Sequence, residues 1–424
     1  MDIKRQPPGG KGGIPLLLRG AILWDGTSSK PRPDVDILVD DGRVAEITAG
    51  GQRRVEGDLE ALDLDRRWVL PGLIDMHVHL VWSGSPDPAA AVAHEGEQLT
   101  TLRAMANAQA QLSAGVTAVR DLGGNWDIPL TVAQAIDHGY LLGPLVVAAG
   151  KTVIMTGGHD PFWGIPSDGP DAVLRAVRRQ ISLGAGVIKV AATGGVYGRA
   201  TGEEIGQSEL TLEELATAAA EAHRFGLRVA AHALGRDGIA NAVRAGIDTI
   251  EHGNFLDEEL VSEMQQRGTV LCPTLAIYRR IAEGGAFGVP PYAVVKAQRA
   301  VNAHRDSFQM ALEAGVPIVA GTDAGSCATP HPALIAELEM MLEYGMPIER
   351  VLAAATSTAA HVLGRPGLGR IEPGKAADLF ILEESPLEEL SRLRSPAGVL
   401  RGGKMVGEAH MGHASKISPE EVVS

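Results

Sequence analysis

Four histidines, a lysine and an aspartate, each near the end of a short apolar run, are the residues of this chain best suited to joint chemistry. His77 and His79 close the stretch Pro71-Gly72-Leu73-Ile74-Asp75-Met76-His77-Val78-His79-Leu80, which reads as an apolar strand opened by Pro-Gly. Side chains alternate between faces along a strand, so residues two apart share one face. Two imidazoles side by side in an apolar strand suit a metal ion, although His-x-His alone fits equally well with one buried histidine and one exposed. Further along, Lys189 lies inside Val187-Ile188-Lys189-Val190-Ala191, and His232 ends Val229-Ala230-Ala231-His232. His252 follows Thr249-Ile250-Glu251, and Asp323 follows Val319-Ala320-Gly321-Thr322. Imidazole and carboxylate are the ligand types of a divalent metal site. Singly each has an ordinary structural use: His232 as a satisfied core histidine, Lys189 reaching a rim along its aliphatic stem, Asp323 as a turn former or cap. Their joint recurrence at strand ends is the signal.

Elements that could gather these residues alternate regularly. After the His-x-His strand come apolar segments at Val116–Arg120, Leu145–Ala149, Val187–Ala191, Arg228–Ala231, Thr249–Glu251, Thr269–Cys272 and Ile318–Ala320. Helical periodicity separates them, as at Asp171–Ser182, Thr211–Arg224 and His304–Ala314, and Thr211-Leu212-Glu213-Glu214 matches a capping box. Eight such units predict an α/β fold, a (β/α)8 TIM-type barrel over residues 71–365, with chemistry at the C-terminal ends of the strands. No Gly-x-Gly-x-x-Gly follows the first strand, which weighs against a doubly wound sheet. Strand-like segments at both ends of the chain, with a hairpin signal at Asp41-Gly42, predict a small β-sandwich domain built from residues 14–70 and 366–410. Residues 1–13 and 411–424 read as flexible termini.

Composition narrows the class. The 424 residues are 45% apolar and 21% charged, ordinary for a globular chain of one large and one small domain. A formal net charge of -14 without any basic run argues against nucleic acid or an anionic membrane as partner. No secretory h-region and no apolar stretch approaching the roughly 20 residues of a membrane span is present, so a cytoplasmic location is expected. Cys272 and Cys327, far apart in apolar surroundings, read as buried free thiols.

The chain resembles the amidohydrolase superfamily, in its imidazolonepropionase-like and prolidase-like branch. The resemblance rests on Pro-Gly-Leu-Ile-Asp-Met-His-Val-His, Ile250-Glu251-His252-Gly253, Pro273-Thr274-Leu275, Gly321-Thr322-Asp323-Ala324 and Pro373-Gly374-Lys375-Ala376-Ala377-Asp378-Leu379. It implies a centre of two divalent ions, zinc by expectation. His77 and His79 would bind the more buried ion with Asp323, and His232 and His252 the more exposed one. Lys189 would bridge them as an N-carboxylated lysine formed with CO2; an anionic carbamate fits beside two cations where an ammonium would be repelled. Asp323 would also carry the proton from the attacking water to the leaving amine.

Two Gly-Gly loops, Met155-Thr156-Gly157-Gly158-His159-Asp160 and Ala192-Thr193-Gly194-Gly195-Val196-Tyr197-Gly198-Arg199, allow close approach of backbone to a ligand. On that basis His159, Tyr197 and Arg199 are expected to face the substrate; the resemblance implies that His159, with a catalytic part, and Tyr197 help hold the substrate carbonyl or carboxylate, and Trp82, just beyond His79, is expected to wall the pocket. The expected activity is hydrolysis of a small-molecule amide, an N-acyl amino acid or a dipeptide with a free carboxylate, by a homo-oligomer. Hydrolysis of a cyclic amide or imidazolone, or deamination of a ring, is the alternative within enzymes; a catalytically silent scaffold is the alternative outside them.

Overall fold

The computed structural model describes residues 14–27, 30–51 and 58–407, and the backbone of Ser415–Ile417. The termini expected to be flexible therefore lie outside the described residues, except that Ser415–Ile417 pairs antiparallel with the strand Leu59–Asp63.

Strands from the two ends of the chain share one nine-stranded sheet. Its junction is the antiparallel pairing of Leu379–Leu382 with Trp68–Pro71. Arg32–Asp40 and Arg43–Ala49 form the expected hairpin, with Asp41 and Gly42 both at positive φ (45° and 73°), the conformation a two-residue turn between twisted strands requires. Alternation along the strands sorts the side chains: Leu18, Ile37, Val39, Leu379 and Ile381 pack on one face, Leu17, Leu38 and Leu59 on the other. Buried Asp378, from the Pro373–Leu379 motif, accepts two hydrogen bonds from Arg401 Nη1 (3.0 and 2.9 Å) and one from Gly402 N–H (2.7 Å), which locks the last hairpin onto the sheet.

The middle of the chain is parallel. One sheet holds Leu73–Val78, Val116–Asp121 and Leu145–Ala148; the other holds Ile165–Pro166, Val153–Ile154, Ile188–Ala191, Val229–Ala233, Thr249–His252 and Val270–Cys272. Almost every residue of the long strands is buried, as expected where both faces are covered by side chains. The two sheets are hydrogen-bonded at both seams. On one side Gly186 N–H donates to Ala148 O (2.9 Å). On the other, Leu271 N–H donates to Pro317 O, Met76 N–H to Ala320 O and His79 N–H to Ala324 O, at 2.8 to 2.9 Å.

Two expected elements differ in extent. Ile318–Ala320 forms no regular strand: it makes the isolated bridge of Ile318 to Leu271 and single backbone hydrogen bonds, Val319 N–H to Leu271 O and Met76 N–H to Ala320 O. Pro317 has no N–H to donate, and the turn at Asp323 (φ 56°) ends any extension. The helix expected over His304–Ala314 begins at Pro291 and runs to Glu313. Its first turns bury only Ala293, Lys296, Ala297 and Ala300, small or charged residues that leave little hydrophobic periodicity to read. Leu212–Arg224 carries the full capping box, Thr211 Oγ1 accepting from Glu214 N–H and Glu214 Oε2 accepting from Thr211 N–H. Among the described residues no helix is long and apolar enough to cross a membrane.

The sheet end and the parallel core meet at Gly115. It has φ of +87°, and a Cβ there would lie 2.3 Å from the Phe380 ring. Gly115→Ala should therefore lose about 2–4 kcal/mol of stability, from positive-φ strain plus overpacking. Denaturant titration is the check, and a change below about 0.5 kcal/mol, the ordinary surface range, would refute the packing argument.

Candidate active site

The ends of the parallel strands surround a cavity. His77, His79, Lys189, His232, His252 and Asp323 all line it, as do His159, Trp82 and Tyr197; Arg199 does not. The rings are close: His77 to His79 5.3 Å between centroids, His77 to His252 5.2 Å, His252 to His232 4.6 Å, with His159 stacked on His232 at 3.8 Å. Residues separated by up to 246 positions in the chain are thus brought into one group at the ends of largely apolar, buried strands.

Hydrogen bonds fix which ring nitrogen faces the cavity. His77 Nδ1 bonds Glu251 Oε2 at 2.9 Å, His79 Nδ1 donates to Gly123 O at 2.8 Å, and His252 Nδ1 bonds Thr274 Oγ1 at 2.8 Å. A ring held at Nδ1 in this way offers Nε2 as a lone-pair donor, the arrangement typical of metal-binding histidines. His79 Nε2 lies 3.2 Å from Asp323 Oδ1 and His77 Nε2 lies 3.8 Å from it. His232 Nε2 and Asp323 Oδ1 are buried with no hydrogen-bond partner among the described residues. Ligand atoms of His77, His252 and Asp323 all lie within 4.8 Å of one another. Buried lone pairs facing each other at these distances call for positive charge between them, and a divalent cation fits the donor set.

Three of the four rings are held neutral by their surroundings, while His79, against the downward push of burial, is raised by Asp323. Burial, with Lys189 nearby, pushes His77 down to about 4, and burial with neighbouring histidines holds His232 and His252 well below the ordinary imidazole range. Burial also lowers Lys189, whose side chain is enclosed among these groups. Asp323 resists the upward push of burial because His79 and His77 hold it low, as a carboxylate. The backbone is bent to suit: His252, Asp323, Asp160 and Thr274 all have positive φ, between 53° and 74°. Such strain, of order 1–3 kcal/mol per residue, persists where the surroundings enforce it and clusters at functional sites. Gly321 is required by close approach, since a Cβ there would fall 2.4 Å from Cys272 Sγ and 2.8 Å from His77 Cβ.

The loop residues divide. His159 Nδ1 bonds Glu203 Oε1 at 2.6 Å; burial opposes its protonation, but Asp160 and Glu203 outweigh that and push it up to about 9, so it is an imidazolium at neutral pH. Trp82 packs against Phe162, Trp163 and Tyr197. Tyr197 presents its ring to the cavity while its hydroxyl donates to Asp87 Oδ1 at 2.5 Å, so the phenol is engaged by the N-cap of helix Pro88–Ser113. Arg199 points elsewhere, its Nη2 donating to Gly158 O at 3.2 Å, and holds a loop together instead of lining the pocket.

Several supporting residues carried no role in the sequence analysis. Glu251, in the same strand as His252 but on the opposite face, is fully buried and bonds both His77 and Arg120 Nη2 (2.8 Å). Burial would raise its pKa, yet Arg120 and His77 hold it far below the usual carboxylate range. A glutamate inside an apolar strand beside a histidine was the available clue; its partner Arg120 could not be found without the fold. Arg103 and Asn107, on helix Pro88–Ser113, hold the carbonyls of Leu80, Val81 and Trp82 and so set the wall beyond His79. His304, given no role by spacing, bonds His252 O at 2.9 Å.

Comparison with known proteins agrees with this geometry. The family model of the amidohydrolase family matches residues 68–406. Ochratoxinase of Aspergillus niger is 31% identical over 374 residues, covering 80% of this chain and 75% of its own. The crystal structure of a Xaa-Pro dipeptidase with bound methionine in the active site superposes with a TM-score of 0.85 at 33% identity, covering 92% of this chain and 99% of that one. That of a prolidase complexed with N-methylphosphonate-L-proline does so at 0.84 and 30%, with 92% and 99% covered. The family is generally metal-dependent, in keeping with the inward-facing ring nitrogens and Asp323. With that match spanning most of its length, the chain belongs to the amidohydrolase family and is a hydrolase.

Proposed function

We propose that this protein hydrolyses the C–N amide bond of an N-acyl amino acid or a dipeptide with a free carboxylate, using two divalent ions. The observation that carries the reading is the buried pair His232 Nε2 and Asp323 Oδ1, without hydrogen-bond partners among the described residues, amid the rings of His77, His79, His159 and His252. The substrate class is supported by similarity to a Xaa-Pro dipeptidase and to a prolidase complexed with N-methylphosphonate-L-proline. We read the parallel strands, closed by hydrogen bonds at both seams, as the (β/α)8 barrel of residues 71–365, and residues 14–70 with 366–410 as the small β unit.

His77, His79 and Asp323 would hold one ion, His232 and His252 the other, with zinc the expected metal. Lys189 would bridge them as the N-carboxylated form. Carboxylation needs a neutral amine to attack CO2, and burial of Lys189 favours that form. When bound, the ions would supply Lewis acidity to the scissile carbonyl and acidity to water. Asp323, held as a carboxylate at the cavity wall, accepts the proton of the attacking water and returns it to the leaving amine nitrogen. His159, kept cationic by Glu203 and Asp160, offers positive charge to the carbonyl oxygen or to the substrate carboxylate. Trp82, Val196, Tyr197, Ile277 and Ile281 give the cavity an apolar lining that excludes water from these charges and suits an apolar side group.

Two outcomes test this. Asp323→Asn should keep its metal, measured by elemental analysis, and lose about 10²–10⁴-fold in kcat on a responsive dipeptide or N-acyl amino acid; near-normal turnover would remove Asp323 from proton transfer. Chelation should abolish activity and lower the melting temperature, and added zinc should restore both, because an ion bound only by the folded state stabilises it. Full activity in metal-free protein, or a preference for ring substrates over acyl amino acids in the same assay, would replace the reading.

A further inference from the structure

Two buried side chains of opposite charge grip the loop Gly195–Arg199 from its two sides. Glu203, 4% exposed, accepts the N–H of Gly195 at 2.7 Å and the N–H of Arg199, while its Oε1 also bonds His159 Nδ1. Lys296, 6% exposed on helix Pro291–Glu313, donates to the carbonyls of the same two residues, Gly195 O at 3.3 Å and Arg199 O at 3.1 Å. Lys296 makes no ion pair with a carboxylate among the described residues; besides the two carbonyls, the Tyr292 ring faces its Nζ at 5.8 Å. A buried ammonium without a carboxylate partner is costly, so the contacts it does make are what the fold retains it for.

The grip is tight. A Cβ at Gly195 would fall 2.3 Å from the His159 ring, and one at Gly198 would fall 2.2 Å from Glu203 Oε2. Between the two gripped ends stand Val196 and Tyr197, both at the cavity wall, and Tyr197 is further tied to Asp87. One carboxylate therefore fixes both His159 and the backbone of the loop that faces it, while Lys296 fixes the loop alone.

We propose that Glu203 and Lys296 are positioning residues that set the substrate-facing wall: Lys296 decides where Val196 and Tyr197 stand, and Glu203 couples that placement to His159. The kinetic half of this proposal rests on the amide-hydrolase reading, and the structural half does not. Lys296→Met should raise KM for substrates with a bulky apolar group by about tenfold while kcat falls far less, because the loop binds without touching the proton transfer. Glu203→Gln should lower kcat as well as raise KM, since His159 loses its anchor. Lys296→Arg, which keeps charge and donors, should recover most of the lost binding. In hydrogen exchange, the segment 194–205 should open faster in Lys296→Met while the helix Arg236–Arg244 keeps its protection. Should Lys296→Met not fold, Lys296→Gln carries the same measurements.

Unchanged exchange of 194–205, or a lowered melting temperature with KM intact, overturns the proposal and leaves Lys296 a packing residue. If the unsubstituted enzyme cleaves no amide yet the variant loosens this segment alone, the grip stands and the proposed reaction falls.

Discussion

Buried lone pairs that face one another must be supplied with positive charge, and the active end of this molecule is arranged around that requirement. His79 Nε2 and Asp323 Oδ1 meet at 3.2 Å, and His232 Nε2 has no hydrogen-bond partner among the described residues. In an apolar enclosure such atoms cost free energy unless something binds them. The surroundings nevertheless enforce the arrangement, through tethered Nδ1 atoms and four residues held at positive φ. Polar atoms tethered in this way are positioned by the fold itself, which is what preorganisation of a site requires.

Beneath that cluster lies a layer of buried acids, each committed to a structural task. Asp75 accepts the N–H groups of His77 and Thr322 together with the Thr322 hydroxyl, so the first strand and the segment carrying Asp323 are pinned to one another. Asp121 accepts from Leu80 and Gly123, tying the chain beyond His79 to the loop whose carbonyl orients that ring. Burial pushes these two carboxyls up, to about 7 and about 6, which separates them from Glu251, held low by Arg120. The difference has one cause: Glu251 has a cation in contact and the two aspartates have chiefly hydrogen-bond donors. Above the cluster, the walls come from loops braced by helices, through Asp87 on Tyr197 and Asn107 on the carbonyls of Leu80 and Trp82. The floor is thus rigid by burial and the walls by discrete hydrogen bonds.

Much of this was legible in the residues themselves. The His-x-His strand, the histidines ending two later strands, and Asp323 were found because a polar side chain ending an apolar run is conspicuous, and strand periodicity says which face it takes. The Asp41-Gly42 turn and the Thr211 capping box were readable because a few local residues decide them. Arg199 was misjudged: a loop sequence gives no direction for a long side chain, and here the guanidinium folds back onto Gly158 O. Tyr197, expected to face the substrate, lines the cavity, and its hydroxyl is engaged by Asp87, 110 residues away, which no local pattern reveals.

What the chain determined by itself is the inventory and its spacing: which strands exist, which of them end in a ligand-type side chain, and where a turn or cap must fall. These follow from near neighbours, through period-2 alternation, side-chain capping and the φ that glycine permits. Only the tertiary structure decided the partnerships, Arg120 with Glu251, Glu203 with His159, Lys296 with the Gly195–Arg199 loop. Each joins segments remote in sequence, and the energy of a buried charge is set by what touches it in space, a quantity no local pattern encodes.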